Sequence, residues 1–376
     1  MPPEYVLFVM NRLTDAGYEA YMVGGCVRDT LLRRVPNDYD ISTNAKPEAV
    51  EAIFSRTIPT GIRHGTVTVL YGGGKCEVTT YRTEGSYSDH RRPDSVSFTS
   101  SLEEDLARRD FTVNAMAMDA AGNIIDPFGG QDDLKKHILR CVGEPRERFS
   151  EDALRMLRAI RFTAQLGFRR ERDVTRAIAE CAGFAANLSA ERVASEMELI
   201  LASRRPEYIW SAIDFGLLDA FLKRPQDVEG RKLLQALPLA SRWTYFCYDL
   251  ERYGCVASTG EFLRSMKLSR HMIDTTSAAV EVMKSGSNDW KRLLRDYGQE
   301  AVLAAHPRSR ALRSVIASGE CCTLDTLAVK GGDIADMGLT GDAVGSALRR
   351  ALDYVIDHPE DNERGKLMEL IKEGKI

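Results

Sequence analysis

The segment Tyr21-Met22-Val23-Gly24-Gly25-Cys26-Val27-Arg28-Asp29, continuing through Leu31-Leu32 to Asp38-Tyr39-Asp40-Ile41, joins a strand, a glycine break and a short helix. Ala20 to Val23 is short and apolar and reads as a buried strand. Gly24 and Gly25 interrupt it and let the backbone come close to a ligand. Cys26 to Leu32 then reads as a helix with an apolar side at Val27, Leu31 and Leu32. A strand, two glycines and a helix start can hold phosphate, because unpaired N–H groups there attract anions. Arg28, in the first turn, adds a fixed positive charge. Past the turn at Val35-Pro36-Asn37, a strand through Asp38-Tyr39-Asp40 would put both carboxylates on one face. Two like charges so close are unfavourable, and a divalent cation such as Mg²⁺ with oxygen ligands relieves them. The pattern predicts a metal–nucleotide site.

Gly24-Gly25-Cys26-Val27-Arg28-Asp29 followed by Asp38-Tyr39-Asp40 resembles the head-domain signature of the class II tRNA nucleotidyltransferase and bacterial poly(A) polymerase family, within the DNA polymerase beta superfamily. A second stretch, Arg108-Arg109-Asp110-Phe111-Thr112-Val113-Asn114-Ala115, resembles that family's ribose-contacting motif. A carboxylate can accept from ribose hydroxyls, and arginines grip phosphates with two N–H groups. A third, Glu151-Asp152-Ala153-Leu154-Arg155, resembles the family's protein template for the incoming base. A carboxylate and a guanidinium match the acceptor and donor edges of cytosine or adenine, and leave uracil or guanine with unpaired polar groups. The resemblance implies that Asp38 and Asp40 are catalytic and hold metal. Gly24, Gly25, Arg28, Arg109, Asp110, Asn114, Asp152, Arg155, Arg158 and Arg161 would bind nucleotide. Glu77, in Glu77-Val78-Thr79-Thr80, becomes a third metal carboxylate if its strand neighbours that of Asp38 and Asp40.

Other features set the boundaries. The chain has 376 residues, enough for two or three domains, and 44% hydrophobic residues, enough for a sizeable core. It has no signal peptide and no apolar run long enough to cross a membrane, so a cytoplasmic location is expected. Its eight cysteines form no Cys-X-X-Cys pair and read as buried thiols. The net charge of −4 argues weakly against nucleic acid, but Arg140 to Arg172 holds nine arginines against five acids, a local basic segment. Gly72-Gly73-Gly74-Lys75 lacks the P-loop spacing and reads as a hairpin turn between Thr66–Tyr71 and Cys76–Tyr81. Arg82 to Ser100 has no period and reads as a long polar loop; in the family such a loop accompanies addition of the terminal A. Ser150 reads as the N-cap of one helix running to Phe162, with Asp152 and Arg155 sharing a face. Glu191, Arg192 and Glu196 read as braces between helices. Beyond Arg204 the chain reads as helical with few motifs, and the glycine-rich turns at Gly331-Gly332 and Gly338 to Gly345 could take phosphates.

The expected fold is α+β: a small mixed β-sheet head over residues 1–130, then an all-helical neck (131–205), body (206–325) and tail (326–376) that binds tRNA. The expected activity is addition of C, C and A to a tRNA 3′ end from CTP and ATP, without a nucleic-acid template, with Mg²⁺ as cofactor. Alternatives are an enzyme that adds only A beside a CC-adding partner protein, a poly(A) polymerase, or a silent tRNA-binding protein. Thr60 to Val69 lacks the basic signature of the polymerases, and no His-Asp dipeptide suggests an appended phosphohydrolase domain.

Overall fold

The computed structural model describes residues 2–85, 95–225 and 236–376. The segment Tyr87 to Asp94, in the middle of the long polar loop, lies outside the described residues. Chain contacts divide the protein into two compact units, residues 1–224 and 225–376.

The first unit opens with a helix, Glu4–Asp15, that buries Val6, Val9, Met10 and Leu13 at helical spacing. Among the described residues eleven strands follow: β1 (Ala20–Val23), β2 (Asp40–Thr43), β3 (Thr57–Gly61), β4 (Thr66–Tyr71), β5 (Gly74–Thr80), β6 (Arg82–Glu84), β7 (Val96–Phe98), β8 (Ala117–Met118), β9 (Ile124–Ile125), β10 (Ile138–Leu139) and β11 (Arg169–Arg170). Seven of them form one mixed sheet in the order β3-β4-β5-β2-β1-β8-β9. Only its β2–β5 pair is parallel. The register sets the site. Val23 pairs with Asp40, and Asp40 with Glu77, so the end of β1, the start of β2 and the middle of β5 meet at one end of the sheet.

Two expectations need correction here. β2 begins at Asp40, and Asp38 lies in the bend before it, so the two carboxylates do not share a strand face. The stretch read as a featureless loop starts and ends in a ladder, with Arg82 opposite Phe98 and Glu84 opposite Val96. Three-residue strands are too short to show an alternation of two.

The sheet passes into helices through a tied seam. Asp126 accepts the backbone N–H groups of Gly130 and Gln131 at 2.7 and 2.8 Å, starting the helix Gly130–Lys136. Thr112 N–H donates to Arg140 O, and Val142 N–H to Asp110 O, so residues 140–142 lie against the motif at 108–115. The helices Pro145–Glu151, Leu154–Leu166, Arg172–Cys181, Ala190–Leu201 and Ile209–Asp214 complete the unit, with β10 and β11 as a small parallel pair among them.

In the second unit the helices begin where side chains cap them. Ser258, Ser269, Asp289 and Ser309 each accept the backbone N–H three residues on. One core gathers Val282, Leu293, Leu294, Val302 and Leu312; another gathers Val329, Ile334, Ala351, Val355 and Leu367. Gly298, at φ 77 and ψ 158, breaks Trp290–Ala305 into two helical pieces. The Gly331-Gly332 turn read as a phosphate taker is instead inside a short helix, Gly331–Ala335, whose start is capped by Asp333 on Lys330 N–H. All eight cysteines are free and buried. No helix among the described residues is long and apolar enough to cross a membrane.

Candidate active site

A cleft of about 430 Å³ lies within the first unit. Its walls bring together Gly24, Gly25, Arg28, Asp40, Arg109, Asp110, Asn114, Asp152, Arg155, Arg158 and Arg161, eleven residues scattered over some 140 positions of sequence. Seven arginines and four acids line it, so its field suits an anion.

The glycine turn forms one wall. Gly24 sits at φ 74 and ψ −135, a conformation open to glycine alone, and a Cβ there would come within 3.0 Å of Arg109 Nη1. Glycine at this position thus permits both the chain reversal and the approach of an arginine. Arg28 is 9% exposed: two of its nitrogens donate to Asp29 at 3.0 and 2.9 Å, and Nη1 donates to Asn114 Oδ1 at 2.8 Å.

The 108–115 motif forms the floor. Asp110 Oδ1 accepts from Phe111 N–H at 2.8 Å and from Asn114 Nδ2 at 3.2 Å. Its Oδ2 takes Arg158 Nε at 2.7 Å and Nη2 at 2.6 Å. A carboxylate offers about four acceptor positions, and protein hydrogen bonds fill three of them. Burial opposes the Asp110 charge, but Arg158, Asn114 and Arg155 outweigh it and hold its pKa below the usual carboxylate range. Beneath this, the fully buried Asp105 collects Arg108 (3.0 and 2.7 Å), Arg109 (3.2 Å), Ser42 (3.2 Å) and Arg82 N–H (3.3 Å).

The opposite wall is the break between two helices, and here the sequence reading of one continuous helix fails. Pro145–Glu151 ends at Asp152, which is extended (φ −134, ψ 104), and a new helix starts at Leu154. Ser150 lies inside the first helix, where its Oγ donates to Glu147 O. Asp152 starts the second helix, with Oδ1 accepting Leu154 N–H at 3.1 Å, while Oδ2 takes Arg192 Nη2 at 2.8 Å. Arg155 donates to Glu151 Oε2 at 2.5 Å, to Arg148 O and to Arg108 O at 3.1 Å. Asp152 and Arg155 therefore face the cleft from separately held positions. Arg161 Nε lies 2.9 Å from Glu196 Oε2, an ion contact whose poor alignment leaves both atoms without a hydrogen bond. Burial pushes the Arg161 pKa down to about 10, so it stays charged at neutral pH. The Phe162 ring has Arg28, Arg158 and Arg161 over it at 5.2, 5.5 and 4.3 Å.

The carboxylates at the sheet end are less enclosed. Asp38 and Glu77 are exposed, whereas Asp40 is half-buried and lines the cleft. Burial raises the Asp40 pKa; Glu77 and Asp38 raise it further, against the opposing charge of Arg109. This local excess of oxygen donors fits a hard divalent cation. Among the described residues no three donors form a closed metal cage. An ion here would complete its shell with substrate phosphates and water, as Mg²⁺ commonly does.

Sequence reading missed Glu84, Asp105 and Phe162, and quoted Arg108 in its motif without naming it a site residue. Asp105 showed only as one acid in a helical turn; Arg108 and Arg109 lie at i+3 and i+4 from it, but its partners on β2 and at the start of β6 are ones sequence spacing does not connect.

Residues 20–140 match the family model of the poly A polymerase head domain, and residues 167–226 match that of the probable RNA and SrmB-binding site of polymerase A. The chain is 44% identical over 335 residues to a CCA-adding enzyme of Geobacillus sp. (strain WCH70), covering 85% of this chain and 79% of that protein. It is 38% identical to the CCA-adding enzyme of Geobacillus stearothermophilus, over 97% of this chain and 96% of that one. The structure aligns with the crystal structure of the Bacillus stearothermophilus CCA-adding enzyme in complex with CTP, with a TM-score of 0.80, 34% identity, and coverage of 100% and 99% of the two chains.

Proposed function

The chain belongs to the CCA-adding enzyme and poly(A) polymerase family of nucleotidyltransferases, and from that membership we propose that it adds C, C and A to the 3′ end of tRNA from CTP and ATP, releasing pyrophosphate. One observation carries the reading: a single cationic cleft collects the glycine turn, Asp40, the 108–115 motif and the Asp152–Arg155 pair. Such a cleft has groups for each part of a nucleoside triphosphate.

The triphosphate lies along Gly24, Gly25, Arg28 and Arg109, where the arginines supply N–H donors at a backbone without side-chain bulk. The ribose meets Asp110 and Asn114. Asp110 already accepts from Phe111, Asn114 and Arg158, which leaves about one acceptor position for a ribose hydroxyl. The base edge meets Asp152 and Arg155, held apart by Arg192 and Glu151. Arg158 and Arg161 carry further phosphate charge. Nucleotidyltransferases of this family use divalent metal ions, and we assign Mg²⁺, held by Asp38, Asp40 and optionally Glu77. When bound, it supplies acidity to the 3′ hydroxyl and neutralises charge on the leaving pyrophosphate. The protein's own part is to fix the sugar and base so that the hydroxyl meets the α-phosphate in line.

We assign residues 1–130 as the catalytic head, 131–205 as the neck that reads the base, and 206–325 and 326–376 as body and tail for tRNA, in a cytoplasmic protein. Titrating CTP, ATP, UTP and GTP into the protein with Mg²⁺ and following binding by calorimetry tests the pocket. Tighter binding of CTP and ATP supports it, and equal binding of all four contradicts it.

A further inference from the structure

Asp105 is the most enclosed acid beside the cleft, and it touches none of the space a nucleotide would fill: it is fully buried and is not among the cleft-lining residues. Its two oxygens have separate partners. Oδ1 takes Arg108 Nε and Nη2 and the backbone N–H of Arg82; Oδ2 takes Ser42 Oγ and Arg109 Nη2. Ser42 is two residues from Asp40 on β2, Arg82 begins β6, and Arg109 reaches Gly24. One carboxylate therefore joins the helix Leu102–Ala107, two strands and two cleft arginines. The guanidinium of Arg109 is long and rotatable, and its Nε is buried without a partner. Among the described residues its side chain donates to Asp105 Oδ2 at 3.2 Å and more distantly to Ser42 Oγ at 3.4 Å.

We propose that Asp105 is a positioning residue for the nucleotide's triphosphate: it holds Arg109 against the glycine turn so that the guanidinium is already in place when the phosphates arrive. This rests on the reading of Arg109 as a triphosphate contact. A fixed arginine loses little side-chain freedom on binding, which raises affinity without touching the base contacts. The effect falls on CTP and ATP alike.

Asp105→Asn is the matching perturbation. The amide oxygen can keep the Arg108 and Arg82 partners on the Oδ1 side. The amide nitrogen then occupies the Oδ2 side, where it can donate to Ser42 Oγ but faces Arg109 Nη2 donor to donor. The substitution releases Arg109 while preserving shape and the other bonds. Steady-state kinetics are measured for wild type, Asp105→Asn, Arg109→Ala and the double variant, with melting temperatures of each. The expected result is a KM for CTP and for ATP raised about tenfold in Asp105→Asn, kcat within about twofold of wild type, and a double variant no worse than Arg109→Ala. An unchanged KM with reduced kcat, or a double variant whose losses multiply, overturns the proposal and leaves Asp105 a packing residue. If Arg109→Ala itself leaves KM unchanged, the triphosphate reading of Arg109 fails instead. A variant too unstable at the working temperature is assayed below its melting temperature beside wild type at the same temperature: a raised KM for both triphosphates at near-wild-type kcat supports the anchor, and an unchanged KM overturns it.

Discussion

Replacing Arg155 with alanine should loosen base selection far more than it loosens the fold. The side chain is 8% exposed and donates to Glu151 Oε2, Arg148 O and Arg108 O. Removing it does not orphan Glu151, which keeps Arg148 Nη2 at 2.9 Å. A hydrogen bond from a charged group is worth about 1.5–3 kcal/mol, and with Glu151 still paired the net cost to the fold is about 2 kcal/mol. For a unit of this size that lowers the melting temperature by about 5 °C. A two-pronged contact to a base edge discriminates by about 1–3 kcal/mol, so incorporation of U or G relative to C and A should rise roughly five- to 150-fold. The assay is single-turnover extension of a tRNA transcript with each of the four triphosphates separately, below the melting temperature of the variant. Arg155→Lys keeps a charge for Glu151 without the planar fork, and should recover stability but not selection. Unchanged selectivity in Arg155→Ala would refute the base-reading role, whatever happens to stability.

Three further outcomes follow from the geometry. Asp38→Ala should abolish nucleotide incorporation while leaving tRNA binding, measured by fluorescence anisotropy, within about threefold of wild type; a parallel loss of tRNA affinity would contradict its metal role. Gly24→Ala forces a side chain into a conformation that costs about 1–3 kcal/mol and pushes on Arg109 Nη1, so KM for both triphosphates should rise at least tenfold; a KM unchanged from wild type counts against the glycine turn as the phosphate wall. Burial raises the Asp249 pKa to about 6, against the pull of Arg252. A raised folded pKa means the protonated form stabilises the fold, so this group's contribution is lost as pH rises from about 4 through 6. Asp249→Asn should therefore melt higher than wild type at pH 7 and show little gain at pH 4; a lower melting temperature at pH 7 would reverse the assignment.

The legible parts of the sequence were those whose physics is local. The glycine turn after β1 could be read because Gly24 needs a conformation other residues avoid, and the β4–β5 hairpin because its alternation and its glycines are contiguous. Asp40 and Glu77 were legible as neighbours only conditionally, since the parallel pairing that aligns them is a choice of sheet topology. The placement of Asp38 failed by two residues, because nothing in Asn37-Asp38-Tyr39 marks where extended chain becomes hydrogen-bonded strand. The helix break at Asp152 was hidden for a different reason: residues on both sides of it are good helix formers, and the break is held by Arg192, forty residues away. Glu84 joins Arg108 through the same kind of distant pairing, and Asp105 reaches Ser42 and Arg82 in that way. In the second unit the serine and aspartate caps fix where helices start, but no local pattern there marks a site.

The central claim is addition of C, C and A in sequence, and the most direct measurement uses three tRNA transcripts, ending at the discriminator base, after one C, and after CC. Each is incubated with Mg²⁺ and CTP, ATP or both, and products are sized at single-nucleotide resolution. The account predicts that the first transcript gains three nucleotides with both triphosphates and then stops. Extension of the CC-ended transcript alone, by one A, or long A tails on unrelated RNA, would contradict it.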